Sequence, residues 1–139
     1  MNKSEKFEFL EHTADIKVRV YGKKLEEVFE NAALAVSSYI AKNKKVKVKI
    51  KKKILIESKN NEELLYRFID ELLFLLDAKN FIAFRAKLKI KEGKLEALIE
   101  GDDTRKYKGF NHVKAATYAE MYVKQLDNGK WEAQFVIDV

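Results

Sequence analysis

The sequence predicts one α+β domain over residues 1–139. The expected architecture is a sandwich with a mixed, mostly antiparallel sheet and two main helices, in the order β-α-β-α followed by an antiparallel meander. Three observations predict it. Two stretches repeat apolar residues at three- and four-residue steps, the other apolar stretches alternate, and no linker divides the chain. The five glycines stand singly, and 47% apolar residues in 139 suffice for a core.

Residues 7–20 read as strand with an interruption. Phe7 and Phe9 alternate, His12-Thr13-Ala14-Asp15 breaks the rhythm, and Ile16, Val18 and Val20 resume it on one face. Leu25, Val28, Phe29, Ala32, Ala33, Val36, Tyr39 and Ile40 then mark an amphipathic helix of about four turns. Glu26 and Glu27 suit the positive end of its dipole. Residues 45–57 alternate again, with Val46, Val48, Ile50, Ile54 and Ile56 on one face and Lys45, Lys47, Lys49, Lys51 and Lys53 on the other. Asn61 is a candidate cap for a second helix reaching about Leu76, whose apolar residues cover nearly its whole circumference and predict a central position. Strands follow over 81–91, 94–102, 112–126 and 130–138, with turns at Gly93 and at Asp127-Asn128-Gly129. An Asn-Gly between alternating runs is a hairpin signal.

Composition excludes several chemistries. With no cysteine there is no disulfide framework, no thiolate nucleophile and no cysteine-ligated metal. His12 and His112 are the two histidines, and neither a Gly-x-Ser-x-Gly elbow nor a Gly-rich phosphate loop is present. The residues therefore argue against an ordinary enzyme. The opening Met-Asn-Lys-Ser-Glu-Lys lacks a leader pattern, and no apolar run approaches the roughly 18 residues of a membrane span, so a cytoplasmic protein is expected.

Two features invite function. The chain carries 28 basic against 22 acidic residues, a formal charge of +6, and the lysine-rich stretch 42–53 could neutralise phosphates. The plain alternative is a solvated strand face that guards an edge against aggregation, since no arginine or aromatic residue interleaves there. The second feature is acidic. Asp15 lies in the break of the first strand region, and Asp138 interrupts the final apolar run just before Val139. Carboxylates converging from separate strand ends, with a terminal oxygen, would form a hard-oxygen site for Ca²⁺ or Mg²⁺. A turn aspartate and a solvated terminus are the alternative. Asp102-Asp103 reads as another candidate or as a turn, and His12 as a hydrogen-bonded structural histidine.

Four blocks carry a resemblance. Phe9-Leu10-Glu11-His12-Thr13-Ala14-Asp15-Ile16 with Val20-Tyr21-Gly22 and the following helix resembles the opening signature of the archease family. Asp70-Glu71-Leu72-Leu73-Phe74-Leu75-Leu76-Asp77 is similar to its central helix. Lys114-Ala115-Ala116-Thr117-Tyr118 resembles its Lys-Ala-Val-Thr-Tyr strand, and Val136-Ile137-Asp138-Val139 its ending. The blocks keep the family's order and span essentially the whole chain.

The resemblance implies a non-catalytic partner of the GTP-dependent RNA-splicing ligase, one that promotes ligase guanylylation and multiple turnover in tRNA splicing and maturation. It also implies a metal site, mapped onto Asp15, Asp138 and Val139, with Ca²⁺ the first expectation and Mg²⁺ or Mn²⁺ alternatives. A chaperone-like role toward a tRNA cytosine methyltransferase is a further implication. The chain departs from the family at Ala119, where histidine is usual after the Thr-Tyr pair. A direct RNA-binding module built on the 45–53 lysines is the alternative from another class; a metal-dependent hydrolase is disfavoured because no nucleophile and base are identifiable together.

Overall fold

A computed structural model describes residues 6–11 and 14–139. Its elements run β1 (Phe7–Leu10), β2 (Asp15–Gly22), α1 (Leu25–Ala41), β3 (Ile50–Glu57), α2 (Asn61–Lys79), β4 (Phe81–Lys91), β5 (Lys94–Asp103), a short 3-10 turn (Thr104–Lys106), β6 (Ala115–Gln125) and β7 (Trp131–Asp138). The strands form two sheets, β1-β2-β7-β6 and β3-β5-β4. Every pairing is antiparallel. The expected mixed sheet is thus corrected to two sheets without a parallel pair, and the expected meander is split between them. The β4-β5 hairpin belongs to one sheet and the β6-β7 hairpin to the other.

The helices form the layer between. α1 packs on β4 of one sheet and on β1, β2 and β7 of the other, while α2 packs on β6 and, across from it, on β3 and β4. α1, not α2, is the helix buried on all sides: none of its residues is exposed. Its small residues Asn31, Ala32, Ala33, Ala35, Ser37 and Ala41 are buried and let two sheets approach one helix closely. α2 buries Leu64, Leu65, Phe68, Ile69, Leu72, Leu73 and Leu75, but opens a stripe through Arg67, Asp70 and Phe74. Phe29 of α1 and Phe68 of α2 meet at 5.9 Å between ring centres, joining the helices in one core. The cap of α2 is Asn60, one residue before the expected Asn61, and its side chain accepts from the Glu63 N–H at 2.8 Å.

The interrupted strand at the start is a hairpin, β1 folding back on β2 with Phe7 opposite Val20. Glu92 and Gly93 both take positive φ, 51° and 76°, which gives β4 and β5 a tight two-residue turn. Gly101 in the middle strand of its sheet faces Ile50 and Ala83, and a Cβ there would lie 1.9 Å from the Ile82 carbonyl oxygen. Residues 107–114 carry the chain between the sheets. Asn111 fastens this crossing to the end of α1, its N–H donating to the Ile40 carbonyl and its side-chain amide to that of Tyr39, both at 2.8 Å. Those carbonyls are among the last four of the helix and have no partner within it. Among the described residues no helix is long and apolar enough to cross a membrane.

Candidate acidic site at the ends of the central strands

β2 and β7 are the central pair of their sheet, and their register places Asp15 directly opposite Asp138. Asp15 opens β2 and Asp138 closes β7, so the pair lies at one end of the sheet. Residues opposed in register share a face, with Cβ atoms about 4.5–5.5 Å apart. Alternation settles which face. Ile16 with Ile137, Val18 with Phe135 and Val20 with Ala133 point to the helices, so the two aspartates point outward with Lys17 and Val136 in the next row. Asp15 and Asp138 are both half-buried.

β6 completes the row. Ala115 stands opposite Asp138 on the other side, and the Lys114 N–H donates to the Asp138 carbonyl at 2.7 Å. The crossing segment therefore does more than change sheets, because its end holds the backbone that carries one carboxylate. Val139 follows with its side chain packed against the core. The structure thus brings Asp15 and Asp138 together. Among the described residues no three His, Cys, Asp or Glu side chains gather as a metal cluster, so the site is a carboxylate pair.

Beside the pair β6 bulges. It takes five residue steps, Thr117 to Tyr122, where β7 takes two, Val136 to Gln134. The extra residues loop outward, with Glu120 at positive φ (52°). Tyr118 stacks on Tyr66 of α2 at 4.1 Å with planes 6° apart. Glu120 reaches over the sheet to accept from Lys17 Nζ at 2.9 Å, and its carbonyl accepts from Gln134 Nε2 at 2.8 Å. Ala119, the departure noted in the sequence, sits exposed in this bulge with its N–H donating to Thr117 Oγ1 at 3.2 Å. Sequence reading missed the bulge, although one signal was there: the inward positions change phase from Ala116 to Val123. Further along the outer face, burial and a hydrogen bond donated to Glu132 at 2.5 Å push the Tyr122 hydroxyl up to about 12.

The other candidates resolve differently. Asp102 is buried and accepts from the Tyr107 hydroxyl at 2.7 Å and the Asp103 N–H at 2.8 Å. The Tyr107 bond in particular holds its carboxyl below the ordinary range. Asp103 caps the 3-10 turn, and its bonds from Arg105 lower it to about 2. Both aspartates thus fasten the start of the crossing segment. His12 lies outside the described residues, and His112 is exposed. A cleft of about 980 Å³ opens at the Gly22–Trp131 end of the sheet. Seven residue steps, about 23 Å, separate that end from the aspartates.

The chain matches the model of the archease protein family (MTH1598/TM1083) over residues 7–139. The chain belongs to the archease family. It is 40% identical to the protein archease of Pyrococcus furiosus over 96% of this chain and 98% of that one. Identity to the Methanosarcina mazei archease is 35%, covering 99% of each. The solution structure of Methanobacterium thermoautotrophicum protein 1598 aligns with a TM-score of 0.79 at 32% identity, over 98% of this chain and all of that one. The crystal structure of an archease from Thermotoga maritima shares the fold, with a TM-score of 0.65 at 18% identity, over all of this chain and 98% of that one. The segments around Asp15 and Asp138 that resemble the family's opening and ending thus hold the two strand ends that the fold sets opposite each other.

Proposed function

We propose that the chain is a non-catalytic protein cofactor of a GTP-dependent RNA-splicing ligase, promoting its guanylylation and repeated turnover in tRNA maturation. Membership in the archease family supports the class of function. The observation that carries the mechanism is the opposition of Asp15 and Asp138 at one end of the sheet. Like charges directly opposed across strands destabilise a sheet, so a pair set this way is suited to a cation. Two carboxylates offer up to four hard oxygens, the donor type that Ca²⁺ prefers and that Mg²⁺ or Mn²⁺ also accepts. Asp15 and Asp138 would hold the ion, with an oxygen of Val139 and solvent completing its shell. When bound, the ion supplies positive charge that steadies the anionic oxygens of a partner's nucleotide. The chain's own part is positional: two ladders fix the carboxylates, and the Lys114–Asp138 hydrogen bond anchors one of them. The partner enzyme supplies nucleophile and base.

The test is multiple-turnover RNA ligation at limiting ligase, with wild type, Asp138→Asn, Asp15→Asn or no added protein. Wild type should raise turnover and both variants should fail to, while their circular dichroism stays unchanged. Thermal unfolding with Ca²⁺ and then with a chelator separates the parts. The ion should raise the wild-type midpoint and leave Asp138→Asn unmoved. Activation by both variants at the wild-type level would exclude the acidic pair from the function.

One observation favours a second reading. The Thermotoga maritima relative is described as a "possible chaperone", which suits a modulator of a tRNA cytosine methyltransferase. Suppression of methyltransferase aggregation, without any effect on ligation, would select it.

A further inference from the structure

The outer face of the β3-β5-β4 sheet has no layer packed on it, and its composition is lopsided. Register places Lys51, Lys53, Leu55 and Glu57 of β3 beside Glu100, Leu98, Glu96 and Lys94 of β5. Arg85, Lys87, Lys89 and Lys91 of β4 complete the rows. That is seven cations against three carboxylates on one side of a three-stranded sheet. The opposite side of the same strands, with Ile54, Ile56, Leu88, Leu95, Ala97 and Ile99, is core. Two cations of the outer face are matched: Arg85 pairs with Glu100 at 3.0 Å and Lys94 with Glu57 at 3.9 Å. Among the described residues, no carboxylate lies within 4 Å of the ammonium groups of Lys51, Lys53, Lys87, Lys89 or Lys91, all of them exposed. Beyond the sheet, exposed Lys45, Lys47 and Lys49 continue the β3 row, and the Lys49 N–H still bonds the Gly101 carbonyl at 2.8 Å.

Guarding an edge asks only for scattered charge. Four successive outward cations on β4 and a second row on β3, about 10 Å away across two strand spacings, exceed that need. We propose that this face binds the sugar–phosphate backbone of double-helical RNA. The choice of RNA rests on the reading of the chain as a partner of an RNA-joining enzyme. The choice of duplex backbone comes from the face itself. It carries no aromatic side chain on which an unpaired base could stack, and flexible lysines contact phosphates without reading sequence. Double-stranded RNA is recognised by shape and backbone in this manner. Leu55, 77% exposed, is the one open large apolar side chain here, too little for an apolar protein interface.

The test is fluorescence anisotropy of a labelled RNA hairpin, with a stem of about 16 base pairs, titrated with the full chain. About four engaged phosphates give a log affinity against log salt slope of about −3.6. Lys87→Glu/Lys89→Glu should weaken binding at least about tenfold and flatten that slope. Lys79→Glu/Lys130→Glu, which changes net charge equally elsewhere, should keep wild-type affinity within about twofold. No binding at low salt, or equal loss in both double variants, overturns the proposal. So does a Lys87→Glu/Lys89→Glu protein that keeps the hairpin but loses the ligase, since the face would then read an acidic protein. Ligation in parallel separates the two readings. Activation lost only in Asp138→Asn with no hairpin binding leaves the cofactor role standing and this inference fallen; hairpin binding as described without activation does the reverse.

Discussion

Asp15 and Asp138 were legible in the sequence because carboxylates interrupt apolar alternation there; their register was not, since pairing of the first strand region with the last is a contact across the whole chain. Asp102 and Asp103 show the other side of the same limit. The pair closes strand β5 and the turn begins only after it, at Thr104; Asp102 is buried because Tyr107 and Lys106 come back to it, which no spacing rule announces. These two residues set an acid-side prediction. The Arg105 bonds hold the folded Asp103 carboxyl at about 2, while the ordinary value is 3.8. Protonation between those values therefore favours the unfolded chain, and the stability Asp103 contributes is complete above that window and lost as pH falls through it. Asp103→Asn should lower the midpoint of urea unfolding at pH 6 and leave a shallower decline between pH 4 and pH 2 than the wild type shows. Equal declines in the two proteins would mean that the turn does not depend on the charge.

Elements were legible where local chemistry decides them. The Glu92-Gly93 turn and the Asn128-Gly129 hairpin lie where the alternating runs break, and Gly129 takes φ of 86°. Where packing decides, the reading failed. α2 is richer in large apolar residues, yet α1 takes the centre because alanines and Ser37 fit between two sheets that leucines would hold apart. The lysine-rich strand starts only at Ile50, although the alternation begins at 45; before it the chain is tied to the crossing segment through the Lys47 N–H and the Tyr107 hydroxyl. Placement of α2 gives a prediction at this scale. Phe68 is fully buried against Phe29, whereas Phe74, six positions on, is 49% exposed. Phe68→Ala should cost about 3–5 kcal/mol in urea unfolding, and Phe74→Ala within about 0.5 kcal/mol of nothing. Similar losses at both positions would contradict the stripe of α2 left open to solvent.

The whole molecule separates two kinds of charge. The carboxylate pair stands on the outer side of one sheet, the lysine rows on the outer side of the other, and the helices lie between. One helix with its side chains is about 10–12 Å across, so the two groups are farther apart than the Debye length of about 8 Å at physiological salt. A net charge of +6 is therefore a poor description of what a partner meets: one side presents carboxylates that can take up a cation, the other presents cations that can take up phosphate. Groups that far apart, with no shared side chain, act additively on stability within about 0.3–0.5 kcal/mol. The Lys87→Glu/Lys89→Glu protein should keep the full wild-type rise in unfolding midpoint with Ca²⁺, and Asp138→Asn the full wild-type affinity for the RNA hairpin. The triple variant should lose both, each by the amount seen separately. Coupling between them would show that the helical layer transmits charge changes from one sheet to the other, and the two surfaces would then have to be treated as one site engaging one partner.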